Sequence, residues 1–243
     1  MKVLVIGEEC VDKFIYCQID RLSPEAPVPV LIPIETTSNP GMAGNTIANV
    51  KAMSNASIMN IVQDGITKTR YVDKKTNHMF LRVDEGENNI KPFEWSMPVD
   101  MALGQADIVI VSDYNKGFLS NTDLKEIARK STLSILDSKR KLTNDIVKEF
   151  SFVKLNELER LNNPQLTTDN IITTLGKKGA EYKNVLFKSP DPQDTIDVSG
   201  AGDTFTAAFI LKYFETKDEK TAIQFANEKA SEVVSQRGVV TPK

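Results

Sequence analysis

Short runs of aliphatic and β-branched residues recur along the chain, each closing in polar residues or glycine. They are KVLVIG (2–7), ADIVIVSD (106–113), LSILDSK (133–139), FSFVKLN (150–156) and NIITTLG (170–176). Apolar runs without polar alternation predict strands buried on both faces. Segments of helical period lie between several of them, such as NTDLKEIARKS, with Asn121 or Thr122 as N-cap. Strands alternating with helices predict an α/β fold, a doubly wound, mainly parallel sheet with its site at the strands' carboxyl ends.

Two regions break that pattern. DKFIYCQIDR (12–21) and PVPVLIPIET (27–36) alternate or carry prolines, which suits edge strands. TKTRYVDKKTNHMFLRVDEG reads as two alternating strands joined by a polar turn at Lys74–Asn77. None of these pieces suits the interior of a parallel sheet. They predict a small antiparallel β-sheet standing off the main body as a lid, built from about 12–36 and 69–84, within one domain spanning 1–243. Their apolar faces, with Phe14, Tyr16, Tyr71 and Phe80, exceed what one small sheet can bury. No internal repeat or low-complexity tract is visible.

Composition narrows the function classes. A hydrophobic content of 40% with 26% charged residues is ordinary for a globular domain. The net charge of -3 gives no reason to expect nucleic acid or an anionic membrane as partner. The apolar N-terminal run is too short for a signal peptide, and no stretch is long enough to span a bilayer, so a cytoplasmic protein is expected. With Cys10 and Cys17 the only cysteines and His78 the only histidine, neither a zinc site nor Ser–His catalysis is expected.

The stretch DVSGAGDTFTAAF, from Asp197, concentrates the chemistry. Four residues with almost no side chain (Ser199, Gly200, Ala201, Gly202) precede Asp203 and a helix of apolar period, so Gly200–Asp203 should form its first turn. Glycine there costs helix propensity. Bare backbone N–H groups at a helix N-terminus accept an anion such as phosphate. A carboxylate in the same turn is placed to take a proton from an attacking hydroxyl. The competing reading is that Asp203 or Ser199 merely caps the helix.

Further clusters stand at the other strand ends. Asp12 follows the first strand, and NPGMAGNTIANV (39–50) is a glycine-rich lead-in to a helix. Asp113, Tyr114 and Lys116 follow one strand, and Asp137 and Lys139 the next. NELE sets Asn156 and Glu159 one helical turn apart, and TLGKKGA (174–180) closes a strand with two glycines. Each taken alone has a structural reading as cap, turn or solvated charge. Neither G-x-x-x-x-G-K-[ST] nor a G-x-G-x-x-G after the first strand is present.

In order from end to end, DVSGAGDTF, NELE and TLGKKGA resemble the signature, N-x-x-E and T-x-G-x-x-G segments of the ribokinase-like (carbohydrate kinase B, PfkB) family. RLSPEAPVPV, PGMAGN, SDYNKG and LDSK are similar to the branch that phosphorylates D-glycero-D-manno-heptose 7-phosphate at O1. The resemblance implies a kinase using ATP and Mg²⁺, with a monovalent cation as a further candidate, acting on a sugar phosphate. By the same resemblance, Asp203 is the general base and the amides of Gly200, Ala201 and Gly202 form an anion hole. Asn156 and Glu159 organise Mg²⁺ and the nucleotide phosphates, the metal held partly through water, and Thr174, Gly176, Gly179 and Asn227 flank the nucleotide. Asp12, Gly41 and Asn45 grip the sugar, and Lys116 or Lys139 meets a substrate phosphate. The lid is expected to make a homodimer contact. The chain departs from the family where Gly41-Met42 replaces Gly-Gly, Gly44 replaces alanine, and Glu8 replaces a shorter aspartate. A helix and strand after IVQDGI and a helix after NELE are missing, as are H-x-G-H and a nucleotidyl-transfer domain. Another sugar substrate, or a silenced homologue that binds without turnover, are the alternatives.

Overall fold

Val3, Leu4, Val5 and Ile6 of the first apolar run are fully buried and alternate between two separate cores, Val3 and Val5 in one, Leu4 and Ile6 in the other. The alternation follows from the pleat, which sends successive side chains to opposite faces, so the strand must be covered twice. The computed structural model describes residues 1–190, 200–234 and 240–242.

The strands are β1 Lys2–Gln18, β2 Ile32–Met42, β3 Ser57–Asp73, β4 Met79–Glu85, β5 Ile108–Asp113, β6 Ser134–Ser138, β7 Phe152–Asn156, β8 Ile171–Thr174, β9 Ala180–Tyr182 and β10 Val185–Phe187. The helices are α1 Ala43–Met53, α2 Met97–Gln105, α3 Asn121–Lys130, α4 Asn144–Val147, α5 Glu157–Leu161, α6 Ala201–Thr216 and α7 Glu219–Val234. Among the described residues they form one sheet in the order β10-β9-β8-β7-β6-β5-β1-β3-β4, with β2 paired to β1. From β3 through β8 the pairings are parallel, and β9 and β10 close that edge antiparallel. The doubly wound, mainly parallel reading therefore holds.

Helices cover both faces. Val99 and Leu103 of α2, Leu124 and Ile127 of α3, and Ile146 and Val147 of α4 pack on Leu4, Ile6, Val109 and Val111. On the other face Val50 of α1, Phe205 and Phe209 of α6 and Ile223 of α7 pack on Val3, Val5, Ile110 and Phe152. Phe152 anchors an aromatic stack, with the rings of Phe209 and Tyr213 at 4.8 and 4.7 Å. Helix α3 starts one residue earlier than expected. Ser120 is its N-cap, accepting from Asp123 N while the Asp123 carboxylate accepts from Ser120 N, a reciprocal box that neither Asn121 nor Thr122 makes.

The lid strands are not a detached sheet. β1 pairs with β5 only as far as Gly7↔Ser112, then takes β2 on that side from Glu9↔Met42 to Gln18↔Ile32. β3 is likewise one strand of 17 residues, because nothing interrupts the chain between Ile66 and Thr67. The extension has antiparallel outer pairs, β2 on β1 and β4 on β3, about a parallel central pair with Asp12↔Lys68 and Phe14↔Arg70 in register. Continuity of β1 and β3 with the buried sheet is what sets the height of this extension above the carboxyl ends.

Candidate active site

Every parallel strand from β5 to β8 ends its run at one rim: Asp113, Asp137, Asn156 and Thr174 stand there together. Helix α6 points its N-terminus at the same rim. Its N-cap is Gly200, in the left-handed region at φ 83°, and no side chain caps the helix. Asp203 is in the first turn but bonds elsewhere. Asn45 Nδ2 donates to Asp203 Oδ2 at 2.8 Å, and the Tyr114 hydroxyl donates to Asp203 Oδ1 at 3.1 Å. The simple capping role for Asp203 is thus not what the geometry contains. Asp197 and Ser199 lie outside the described residues.

Asp203 is only 5% exposed. Burial, then the charge of Asp137, push its carboxyl up to about 6, against the Asn45 hydrogen bond and the ammonium groups of Lys154 and Lys139. Asp137 goes the other way. Burial opposes its charge, but Lys154 and Lys139 outweigh that and hold its carboxyl below the usual range. Lys154 Nζ donates to Asp137 Oδ2 at 2.9 Å, and Thr206 Oγ1 to the same oxygen at 3.1 Å. Lys139 bonds Glu159, and the two carboxylates of Glu159 and Asp137 keep its ammonium charged despite burial.

A cavity of about 630 Å³ opens along this rim, a size suited to a nucleotide-sized ligand. Of the residues predicted from sequence, Asp203, Gly200, Ala201, Gly202, Lys139, Asn156, Thr174, Gly176, Gly179 and Asn227 line it. Asn227, on α7, donates through Nδ2 to Phe187 O at 2.9 Å, tying that helix to β10. Asn156 and Glu159 form a capping box on α5: Asn156 Oδ1 accepts from Glu159 N at 2.8 Å, and Glu159 Oε2 accepts from Asn156 N at 2.7 Å. Glu159 sits behind Asn156, against Lys139.

Asp12, Gly41 and Asn45 gather beyond Asp203, under the lid. A Cβ on Gly41 would fall 2.2 Å from Asp12 Oδ2, so only glycine lets the β2 chain pass the carboxylate. Asp12 in turn is paired with Arg70 of β3. Lys116 is not brought to the cavity. Its ammonium pairs with Glu87 Oε1 at 2.7 Å.

Five residues outside the predicted set shape the site. Lys154 is 2% exposed, and a Cβ on Gly202 would lie 2.9 Å from its Nζ, so this ammonium abuts the first turn of α6. A lysine inside the apolar run FSFVKLN was its one sequence signal. Tyr114 and Asp137 stand at strand ends, and the sequence assigns neither a role. Glu8, fully buried, accepts from the backbone amides of Tyr114, Lys116 and Phe118 at 2.9, 3.0 and 3.3 Å. It thereby fixes the loop that carries Tyr114 to Asp203. Arg140 clamps Asp113 at the base of that loop through Nε at 2.6 Å and Nη2 at 2.8 Å.

Among the described residues no group of three or more His, Cys, Asp or Glu side chains is placed to cage a metal. Asp137 Oδ1 is a buried oxygen without a hydrogen-bond partner among them, on the cavity wall. One or two carboxylates with water and phosphate oxygens completing the shell is how Mg²⁺ is usually held, so the site fits that ion.

A deep cavity at the carboxyl rim of a doubly wound sheet, with a buried carboxylate in the first turn of a glycine-led helix, is where open α/β sheets bind their ligands. Comparisons with known proteins bear on what binds there. Residues 142–243 match the model of the pfkB family carbohydrate kinases. The bifunctional protein HldE of Desulfatibacillum aliphaticivorans is 27% identical over 99% of this chain and 61% of its own length. That of Coxiella burnetii is 28% identical over 99% of this chain and 61% of its own length. The chain therefore spans about three fifths of these curated relatives. Among solved structures, Arabidopsis thaliana ribokinase, complexed with ribose and ATP, superposes with a TM-score of 0.70 at 15% identity, covering 99% of this chain and 95% of that one. Phosphofructokinase-2 from Escherichia coli, in complex with potassium, gives a TM-score of 0.72 at 14% identity, covering 100% and 95%. Residues 142–243 thus match the pfkB carbohydrate kinase model, nearly the whole chain is similar to the HldE proteins, and the fold is that of the ribokinases. Among the described residues no helix is long and apolar enough to cross a membrane.

Proposed function

We propose that the protein transfers the γ-phosphoryl group of ATP to a hydroxyl of a phosphorylated heptose, with O1 of D-glycero-D-manno-heptose 7-phosphate as the acceptor. The observation that carries the transfer chemistry is Asp203, a buried carboxylate with a pKa pushed up to about 6 at the mouth of a helix N-terminus. A base of that strength is ionised at neutral pH yet able to take a proton. Asp203 accepts the proton of the sugar hydroxyl as its oxygen bonds to the γ-phosphorus. The bond from that phosphorus to the β–γ bridging oxygen breaks, and ADP leaves with the electron pair. Charge on the transferring group meets the amides of Gly200, Ala201 and Gly202 and the ammonium of Lys154 beside them.

Asn156 and Glu159, with Asp137 Oδ1 nearby at 3.8 Å from the Lys139 ammonium, are the residues that would hold Mg²⁺, partly through water. When bound, Mg²⁺ supplies neutralisation of the nucleotide phosphates. Thr174, Gly176, Gly179 and Asn227 frame the nucleotide end of the cavity, and Asp12, Gly41 and Asn45, beyond Asp203, would hold the sugar. Asn45 also orients the base through its 2.8 Å hydrogen bond. Lys139 lines the cavity with its ammonium paired to Glu159, and Lys116 is engaged by Glu87. The β1–β4 extension acts as the lid over the sugar, and its outer apolar side chains support a homodimer contact.

Retention of Asp203 with its hydrogen-bonding partners favours turnover over a silenced, binding-only homologue. ATP consumption measured against a panel of sugars and sugar phosphates tests the reading. Turnover with the heptose phosphate well above that with hexose phosphates is expected. A different sugar giving the highest kcat/KM would replace the substrate, and nucleotide binding with no turnover on any sugar would overturn the kinase.

A further inference from the structure

The lid strands carry a row of charges on the face that meets the site. Register places Asp12 of β1 opposite Lys68 of β3, and Lys68 opposite Asp84 of β4, so the three side chains emerge on one face. Arg70 and Arg82 share that face as the next register pair but one. Both carboxylates are already engaged. Asp12 is bonded by Arg70, and Asp84 is held by Arg82 through Nε at 2.8 Å and Nη2 at 2.9 Å. Three cations thus face two carboxylates, and the cation left over is Lys68.

Among the described residues no carboxylate lies within ion-pair distance of Lys68. Its Nζ is 3.5 Å from Met42 Sδ, a weak acceptor, and 5.6 Å from the centroid of the Tyr114 ring. The Lys139 ammonium stands over the same ring at 5.4 Å, and the hydroxyl of that ring donates to Asp203. Tyr114 therefore links the base to two ammonium groups, one on the nucleotide side and one on the lid. Lys139 has Glu159 as its anion and Lys68 has none. A half-buried ammonium without an anion is an unfavourable arrangement that a ligand phosphate would relieve.

We infer that Lys68 is the anchor for the phosphate carried by the sugar substrate, and that it makes the site selective for a phosphate monoester over the free sugar. The inference rests on the sugar-kinase reading above. An uncharged sugar would leave the ammonium unpaired, whereas a phosphate dianion would complete the row at Asp12, Lys68 and Asp84 and draw the lid onto the substrate.

The test uses the full chain with two ligands, D-glycero-D-manno-heptose 7-phosphate and the unphosphorylated heptose. Binding of each is measured calorimetrically without nucleotide, and turnover is measured with ATP. The wild type should bind the phosphorylated sugar at least about tenfold more tightly. Lys68→Ala should erase most of that preference and raise KM for the sugar phosphate by about tenfold to a hundredfold, while KM for ATP moves by less than about twofold. Lys68→Arg should keep most of the preference. If the alanine variant melts early, Lys68→Gln, which keeps a polar stem, carries the same expectation. Equal affinity of the wild type for both sugars, or a preference that survives Lys68→Ala, would overturn the assignment. A preference that depends on Lys68 with no turnover of either sugar would instead keep the anchor and remove the kinase.

Discussion

Asp203 is buried, faces the charge of Asp137, and still has two hydrogen-bond donors, Asn45 and Tyr114, holding its oxygens in place. Asp203→Asn keeps the shape and removes the proton acceptor. It should lower kcat by about 10² to 10⁴, the usual scale for loss of a general base, and leave ATP and sugar affinity within a few fold. The wild-type rate should climb with pH through about 6 and then level, and the variant's residual rate should lack that limb. Stability should move in the opposite sense. The unfolded carboxyl ionises near its ordinary value of 3.8 and the folded one at about 6, so the native state loses stability as pH rises between them. Asn has no such loss, so thermal melts should show the variant gaining on the wild type from about pH 4 to 7 and no further above. A variant with near wild-type turnover would remove the mechanism. At Gly202 the constraint is space. Gly202→Ala sets a methyl against Lys154 Nζ, an ammonium pinned to Asp137, and should cut kcat by at least about tenfold, with KM for ATP altered less.

At the scale of elements, Asp137 and Lys154 are register partners on β6 and β7, and their ion pair is buried between the sheet and α6. Such a pair contributes little net stability when complete, but losing one partner strands the other charge. Lys154→Met should therefore cost about 3 kcal/mol or more in urea unfolding, and adding Asp137→Asn should recover a good part of it. Full additivity of the two costs would contradict the pairing. The 113–119 loop depends on elements in the same way. Glu8 at the end of the buried part of β1 receives three loop amides, and its carboxylate is raised by burial and by Asp113, against those hydrogen bonds. A shorter aspartate at this position would reach less far into the loop that delivers Tyr114. This is why Glu8 belongs to the site although it touches no cavity.

For the molecule as a whole, the β1–β4 extension leaves Ile32, Ile34, Phe80 and Leu81 between 43% and 53% exposed, on strands that carry few other covering groups. Exposed apolar side chains of this kind on a single-layered, four-stranded extension suit a second copy of the same lid. Placing aspartate at Ile34 and Leu81 should shift sedimentation from dimer to monomer and raise KM for the sugar more than KM for ATP. A wild type that sediments as a monomer at micromolar concentration would contradict the contact.

The apolar runs, their polar endings and the glycine-led helix at 200–203 determined the sheet class and the rim at which chemistry gathers, because backbone burial and helix-end hydrogen bonding act locally. They also placed Asp203, Asn156, Thr174 and Asn227 in one site through motif order. What stayed illegible depends on contacts between distant segments. Lys154 looks like a misplaced charge until β6 brings Asp137 to it, and Glu8 looks like an ordinary strand-end acid until the 114–118 amides fold over it. Lys116 and Lys68 are equivalent as letters. Only the packing of Glu87 on the first, and the capture of both neighbouring carboxylates by arginines around the second, decided which cation remained for a ligand. Charge is written in the sequence, but its neutralisation is a property of neighbours, and neighbours are set by register and topology.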